Sequence, residues 1–253
     1  MPPRYEHGGP SQYRVSFGGP ITPAVRALII INVAVFLMEL VVAGGGGEAA
    51  LGRMLEWFAL TPADVFTKLF IWQLVTYMFL HSPAGIWHIL FNMLILWMLG
   101  SDVERAWGAK RFVRYYLIAG IGGGLAHCLF WQPMTIGASG AVFGVIIAFA
   151  MLFPTRTILF MFIFPLTARQ FALLLTAIEL VSLGAFTPDG VARLAHLGGA
   201  LTGFLLIRGF WDPRQIWYDV KWRLRRRRFR MISRQQDERD RKQRDRDRFY
   251  PFH

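Results

Sequence analysis

The chain has 253 residues, 54% of them apolar, and a formal net charge of +12. Several apolar runs approach the ~20 residues that a spanning helix needs, which excludes an ordinary soluble domain. Residues 208–253 hold sixteen Lys/Arg against seven Asp/Glu, so +9 of the charge lies there, and nucleic-acid binding by this stretch would leave the preceding 207 residues unexplained.

Residues 1–22 are polar and rich in Gly and Pro, and they lack the apolar core of a cleaved leader. They are expected to form a flexible tail. The first span is expected from Val25 to Ala43, halted by Gly44-Gly45-Gly46-Gly47. Residues 48–84 mix Trp57, Phe58, Phe66, Phe70, Trp72 and Tyr77 with charged side chains, which suits an interfacial element between the first two spans. The second span runs from about Gly85 to Gly100 and meets a charged stop, Ser101-Asp-Val-Glu-Arg105. The third covers Phe112 to Trp131, with Gly120 and Gly122–Gly124 as a smooth packing surface. The fourth covers Ser139 to Phe153 and is closed by Pro154. An aromatic connector (Phe160, Phe162, Phe164) leads to a fifth span at Leu166–Leu183, and a sixth follows at Val191–Ile207. The fold class is thus an all-α membrane protein. Its layout is a tail at 1–22, a six-helix domain at 23–210 and a basic tail at 211–253. The lone Cys128 excludes an internal disulfide.

Six spans put both termini on one side. The segments 101–114 and 153–170 and the C-terminal tail carry the excess of Lys/Arg, so both ends are expected in the cytosol. The tail is also expected to meet anionic lipid. Spans two, four and six then start on the outer side. Ser139 lies fifteen residues from Pro154, His196 twelve from Arg208 and His88 fourteen from Asp102. At ~1.5 Å per residue, all three sit at one depth, roughly 10 Å below the outer surface of a ~30 Å core. Polar groups at a shared depth on three helices imply a hydrated cavity.

Two Gly-x-x-x-Gly pairs, Gly140/Gly144 and Gly199/Gly203, follow Ser139 and His196 and let spans four and six approach closely. That approach brings an imidazole base to a serine nucleophile. His88 and Asn92 are four apart and share a helix face. With the Ser139 backbone N–H they would form an oxyanion hole. Each piece alone also fits ordinary helix packing or an interhelical strut. No His-Glu-x-x-His is present, so no metal and no cofactor is expected. Glu39 and Glu179 are expected to snorkel at the outer ends of spans one and five, and Glu179 lies near enough to the site to bear on opening it. His81 is expected at the interface, and Glu104 is expected to brace the turn between spans two and three.

Five stretches of the chain resemble the rhomboid proteases of the six-span bacterial type. They are His88-Ile-Leu-Phe-Asn92, Glu104-Arg-Ala-Trp-Gly108, Gly137-Ala-Ser-Gly140, Ala195-His-Leu-Gly-Gly199 and the Gly203 that follows. The resemblance covers about residues 70–207. It implies a Ser–His dyad without a carboxylate, Ser139 as nucleophile and His196 as base, His88 and Asn92 as oxyanion donors, and single-pass membrane proteins as substrates in a bacterial inner membrane. It implies that Phe143 stacks on the base where the family often has tyrosine, and that span five and the loop 184–192 act as gate and cap. Gln73 stands where the family commonly has arginine after a tryptophan, a departure that touches the interfacial loop rather than the chemistry. A proteolytically inactive relative that binds membrane clients is the alternative; such proteins usually lose the serine or histidine, or carry proline before the serine, whereas here Ala138 precedes Ser139.

Overall fold

The computed structural model describes residues 19–160, 163–183 and 193–210. Most of the tails expected at 1–22 and 211–253, and the cap expected at 184–192, lie outside the described residues. The described chain is a helical bundle. Helix α1 spans Pro23–Phe58, with Pro23 opening it where a missing N–H costs nothing. The glycine quartet does not end it. Only Gly47 departs from helical geometry, at φ 69°, and breaks α1 into a membrane segment and a shorter continuation. The interfacial region then folds into α2 (Pro62–Thr67), α3 (Gln73–Thr76) and a single 3₁₀ turn.

Helix α4 (Ile86–Ile95) passes through a π turn at Leu96–Gly100 into α5 (Ser101–Trp107). The charged stop therefore lies inside the helical run, which ends at Gly108 with φ 79°. Helix α6 (Ala109–Leu129), α7 (Ser139–Leu152), α8 (Ala168–Ser182) and α9 (Arg193–Leu205) follow. Thr167 caps α8: its hydroxyl accepts from the Gln170 N–H at 3.2 Å, while Gln170 Oε1 accepts from the Thr167 N–H at 2.9 Å. One addition to the helical plan is an antiparallel hairpin, β1 (Thr157–Phe160) and β2 (Phe164–Thr167), where only an aromatic connector was expected. Among the described residues, three helical runs are long and apolar enough to cross a membrane: Pro23–Phe58, Ile86–Trp107 and Ala109–Leu129. A compact unit ends at Phe204, and the described part of the unit beginning at Leu205 includes a π turn at Leu206–Phe210.

The N-terminus of α1 is held by a side chain eighty residues away in sequence. Glu104 is only 4% exposed. Its carboxylate accepts from the Ala24 and Val25 N–H groups at 3.0 and 2.9 Å and from the Thr22 hydroxyl at 2.5 Å. Anionic oxygens here satisfy orphan donors and meet the positive end of the helix dipole. Glu104 thus clamps α1 to α5, instead of bracing the turn after α5. Glu104→Ala should destabilise the fold by roughly 2–3 kcal/mol, because it strands buried donors. The expected result is a lower midpoint in detergent thermal unfolding, with Glu104→Gln falling between the two.

Candidate functional site

Ser139 opens α7, and Ala138 before it supplies no side-chain cap. The first-turn N–H groups of a helix have no intrahelical partner, so α7 presents donors beside the serine hydroxyl. The loop that delivers Ser139 is fixed at three points. Leu60 and Thr135 exchange backbone hydrogen bonds, each 3.0 Å. The Gly137 N–H donates to the Tyr77 carbonyl at 2.8 Å, and His127 Nε2 reaches the Pro133 carbonyl at 2.7 Å. The interfacial region therefore braces the serine loop. Gln73 braces that region in turn: fully buried, it accepts from the Thr61 N–H and donates to the Glu56 carbonyl, both at 3.0 Å. An uncharged amide thus ties the loop here, at the position where the resemblance leads one to expect arginine.

Helices α7 and α9 meet through their glycines. A Cβ on Gly199 would lie 2.0 Å from the Gly140 carbonyl oxygen, and one on Gly203 would lie 3.0 Å from Gly144 Cα. A Cβ on Gly140 would come 3.1 Å from the Ala195 carbonyl oxygen. All four glycines lie at this contact, which only bare backbone permits. The contact sets His196 Nε2 2.6 Å from Ser139 Oγ. Phe143, one turn along α7, lies parallel to the imidazole with ring centroids 4.6 Å apart and planes 9° apart. His196 is largely buried.

Helix α4 borders the loop that delivers Ser139. The His88 ring lies against Gly137, where an added Cβ would meet Cε1 at 2.6 Å; Gly137 itself has φ +126°. Asn92 is buried, and its Nδ2 donates to the His88 carbonyl at 3.0 Å. The same nitrogen approaches His81 Nε2 at a longer 3.4 Å. The rings of His81 and His88 are tilted neighbours, with centroids 5.3 Å apart.

Three residues near the site differ from their sequence-based expectations. His81 is fully buried rather than interfacial, and burial, helped by the nearby His88, pushes its pKa down to about 4. A neutral ring that accepts from Asn92 at Nε2 carries its proton on Nδ1. Glu39 does not snorkel: it is fully buried and accepts from the His81 N–H at 2.9 Å. Glu179 does not snorkel either. Its side chain is 14% exposed, and its Oε1 lies 3.0 Å from His196 Nδ1. The available signal was an ionisable residue within an apolar run, which marks a functional candidate by its cost alone. Sequence spacing alone could not aim it at one ring nitrogen.

The Rhomboid domain family matches residues 69–212. Over 210 residues the chain is 31% identical to RHOMBOID-like protein 1 of Arabidopsis thaliana, covering 72% of this chain and 51% of that protein. It is 34% identical over 178 residues to Rhomboid protease GluP of Bacillus subtilis, covering 70% of this chain and 31% of the relative. It is 32% identical over 192 residues to the mitochondrial Rhomboid protein 1 of Saccharomyces cerevisiae, with 72% and 51% covered. The chain thus spans about half or less of the length of these relatives.

Proposed function

The chain belongs to the rhomboid family, and from that premise we propose that it is an intramembrane serine endopeptidase that cuts single-pass membrane proteins in or near their transmembrane segments. It is an integral membrane protein. The observation that carries the reading is the 2.6 Å separation of His196 Nε2 and Ser139 Oγ. A serine is a weak nucleophile until a base within hydrogen-bond reach takes its proton, and this pair has that reach.

In the proposed reaction a client segment unwinds beside α7 and exposes a carbonyl that a helix would hide. Oγ bonds to the carbonyl carbon as its proton passes to His196 Nε2. The carbonyl electron pair moves onto oxygen, which the Ser139 N–H, His88 and Asn92 receive. Collapse expels the amine, which takes the proton from Nε2. Water then attacks the acyl-enzyme with His196 again as base, and Ser139 is restored. The α4 face supports this arrangement: one Asn92 amide hydrogen is bound at 3.0 Å, and the other is held loosely enough at 3.4 Å to turn to an oxyanion. Phe143 keeps the imidazole in plane through ring stacking, with no hydroxyl needed. The Lys/Arg-rich segments support a cytosolic position for both termini, and in that orientation the site faces the outer side. No step calls for a metal or cofactor.

Cleavage of a transmembrane reporter by the purified full-length protein in liposomes tests the reading. Asn92→Ala should lower kcat by about 10²-fold while cleavage persists, because it removes one oxyanion donor. Unchanged turnover would take Asn92 out of the oxyanion hole. No cleavage by the unaltered protein, with any apolar reporter carrying small residues near its outer end, would count against the proteolytic reading itself.

A further inference from the structure

We propose that Glu179 is a positioning carboxylate for His196, so that the nucleophile–base pair is completed by an acid from a third helix; this rests on the proteolytic reading above. The two ring nitrogens of His196 face different partners. Nε2 lies 2.6 Å from Ser139 Oγ, and Nδ1 lies 3.0 Å from Glu179 Oε1. A neutral imidazole carries one N–H and one bare nitrogen. The bare nitrogen must be Nε2 if it is to take the serine proton, so the ring proton belongs on Nδ1. A carboxylate oxygen at Nδ1 favours that tautomer.

The arrangement is coupled to the reaction. When Nε2 accepts the serine proton, the ring becomes imidazolium. The carboxylate beside Nδ1 then stabilises a charge absent from the ground state, in surroundings where such attraction is strengthened. The proton stays on the ring, and Glu179 accepts none. The side chains of His196 and Glu179 are only 11% and 14% exposed.

Two unpaired atoms point the same way. His196 Nδ1 and Glu179 Oε2 are buried, and neither has a hydrogen-bond partner. The 3.0 Å approach of Oε1 thus lacks hydrogen-bond alignment, and a small rotation of either side chain would supply it. A carboxylate with an unpartnered oxygen at membrane depth is costly, and a cationic ring that forms beside it during turnover offsets that cost. The backbone at Glu179 is regular helix: its carbonyl accepts from the Leu183 N–H at 3.1 Å. The acid is therefore delivered by α8, while Ser139 and His196 come from α7 and α9. A base completed by α8 would lose its acid whenever α8 moves away.

The test is steady-state cleavage of a transmembrane reporter in liposomes by the full-length protein and by Glu179→Gln and Glu179→Asp, with thermal unfolding measured for each. A fluorophosphonate probe reads acylation of Ser139 separately. Glu179→Gln should cut kcat by about 10²-fold, less than the ~10⁴ known for an aligned triad acid, with KM held within about twofold. Labelling should slow in parallel. Glu179→Asp keeps the charge on a shorter arm and should retain more activity than Glu179→Gln. Full activity in Glu179→Gln would overturn the proposal. So would the order Gln above Asp, which marks a packing role, or a change confined to KM, which marks a role in client access. Failure of the unaltered protein to cleave or label would remove the proteolytic reading first and this proposal with it.

Discussion

Replacing either Ser139 or His196 with alanine is expected to lower reporter cleavage by at least about 10⁴-fold while the protein still inserts and folds. The two changes remove different things. In the proposed reaction, Ser139→Ala deletes the atom that bonds to the carbonyl carbon. His196→Ala leaves that atom in place but removes the acceptor 2.6 Å from it, so the hydroxyl keeps its proton. Both losses block the same step, so the double variant should be no worse than either single one. Insertion should survive because α7 and α9 also meet through their glycine backbones, a contact that neither substitution touches. Readout is reporter cleavage in liposomes, with thermal unfolding as the fold control. Cleavage above a tenth of the unaltered rate in either variant would dissolve the nucleophile–base assignment.

Gly199→Ala should weaken both the fold and turnover. The new Cβ would sit 2.0 Å from the Gly140 carbonyl oxygen and 2.7 Å from its carbon. These are backbone atoms, so no side chain can swing away, and α7 and α9 must part. Overpacking of this kind costs about 1–3 kcal/mol in stability. The effect on turnover should be larger in proportion. Gly140 adjoins Ser139, so separation of the helices lengthens the 2.6 Å approach directly, and misplacement by about 1 Å can cost 10²-fold. Gly44→Ala is the matched control: an added Cβ there meets nothing within 4 Å. The expected pattern is a lower unfolding midpoint and strongly reduced cleavage for Gly199→Ala, with neither for Gly44→Ala. Equal behaviour of the two variants would contradict the assigned contact between α7 and α9.

The features that sequence revealed are those that physics repeats at fixed spacing. The helices expected from Phe112, Ser139 and Leu166 begin within three residues of their observed starts, because long apolar runs admit few other structures in lipid. The glycine pairs revealed the contact between α7 and α9 because small residues one turn apart have few other uses. Side-chain partners at long separation were not legible. Glu104 looked like a local brace because its neighbours in sequence belong to a turn, whereas its partners are Thr22, Ala24 and Val25. Glu39 and Glu179 looked like snorkelling residues because apolar neighbours carry no sign of a buried donor or ring nitrogen nearby. The hairpin at 157–167 was hidden because its strands are short and apolar, and a run of that length does not separate strand from connector. The quartet Gly44–Gly47 was read as a stop, since glycine is a poor helix former; the helix continues, and only Gly47 takes up the freedom.

The most direct measurement is mass-spectrometric mapping of a fluorophosphonate adduct on the full-length protein in membranes. The account predicts an adduct on Ser139 in the folded protein, none after denaturation, and none in folded His196→Ala, because the hydroxyl reacts only when its neighbour accepts the proton. An unlabelled Ser139 in the folded protein, or equal labelling with and without His196, would contradict it and favour a client-binding relative without proteolytic activity.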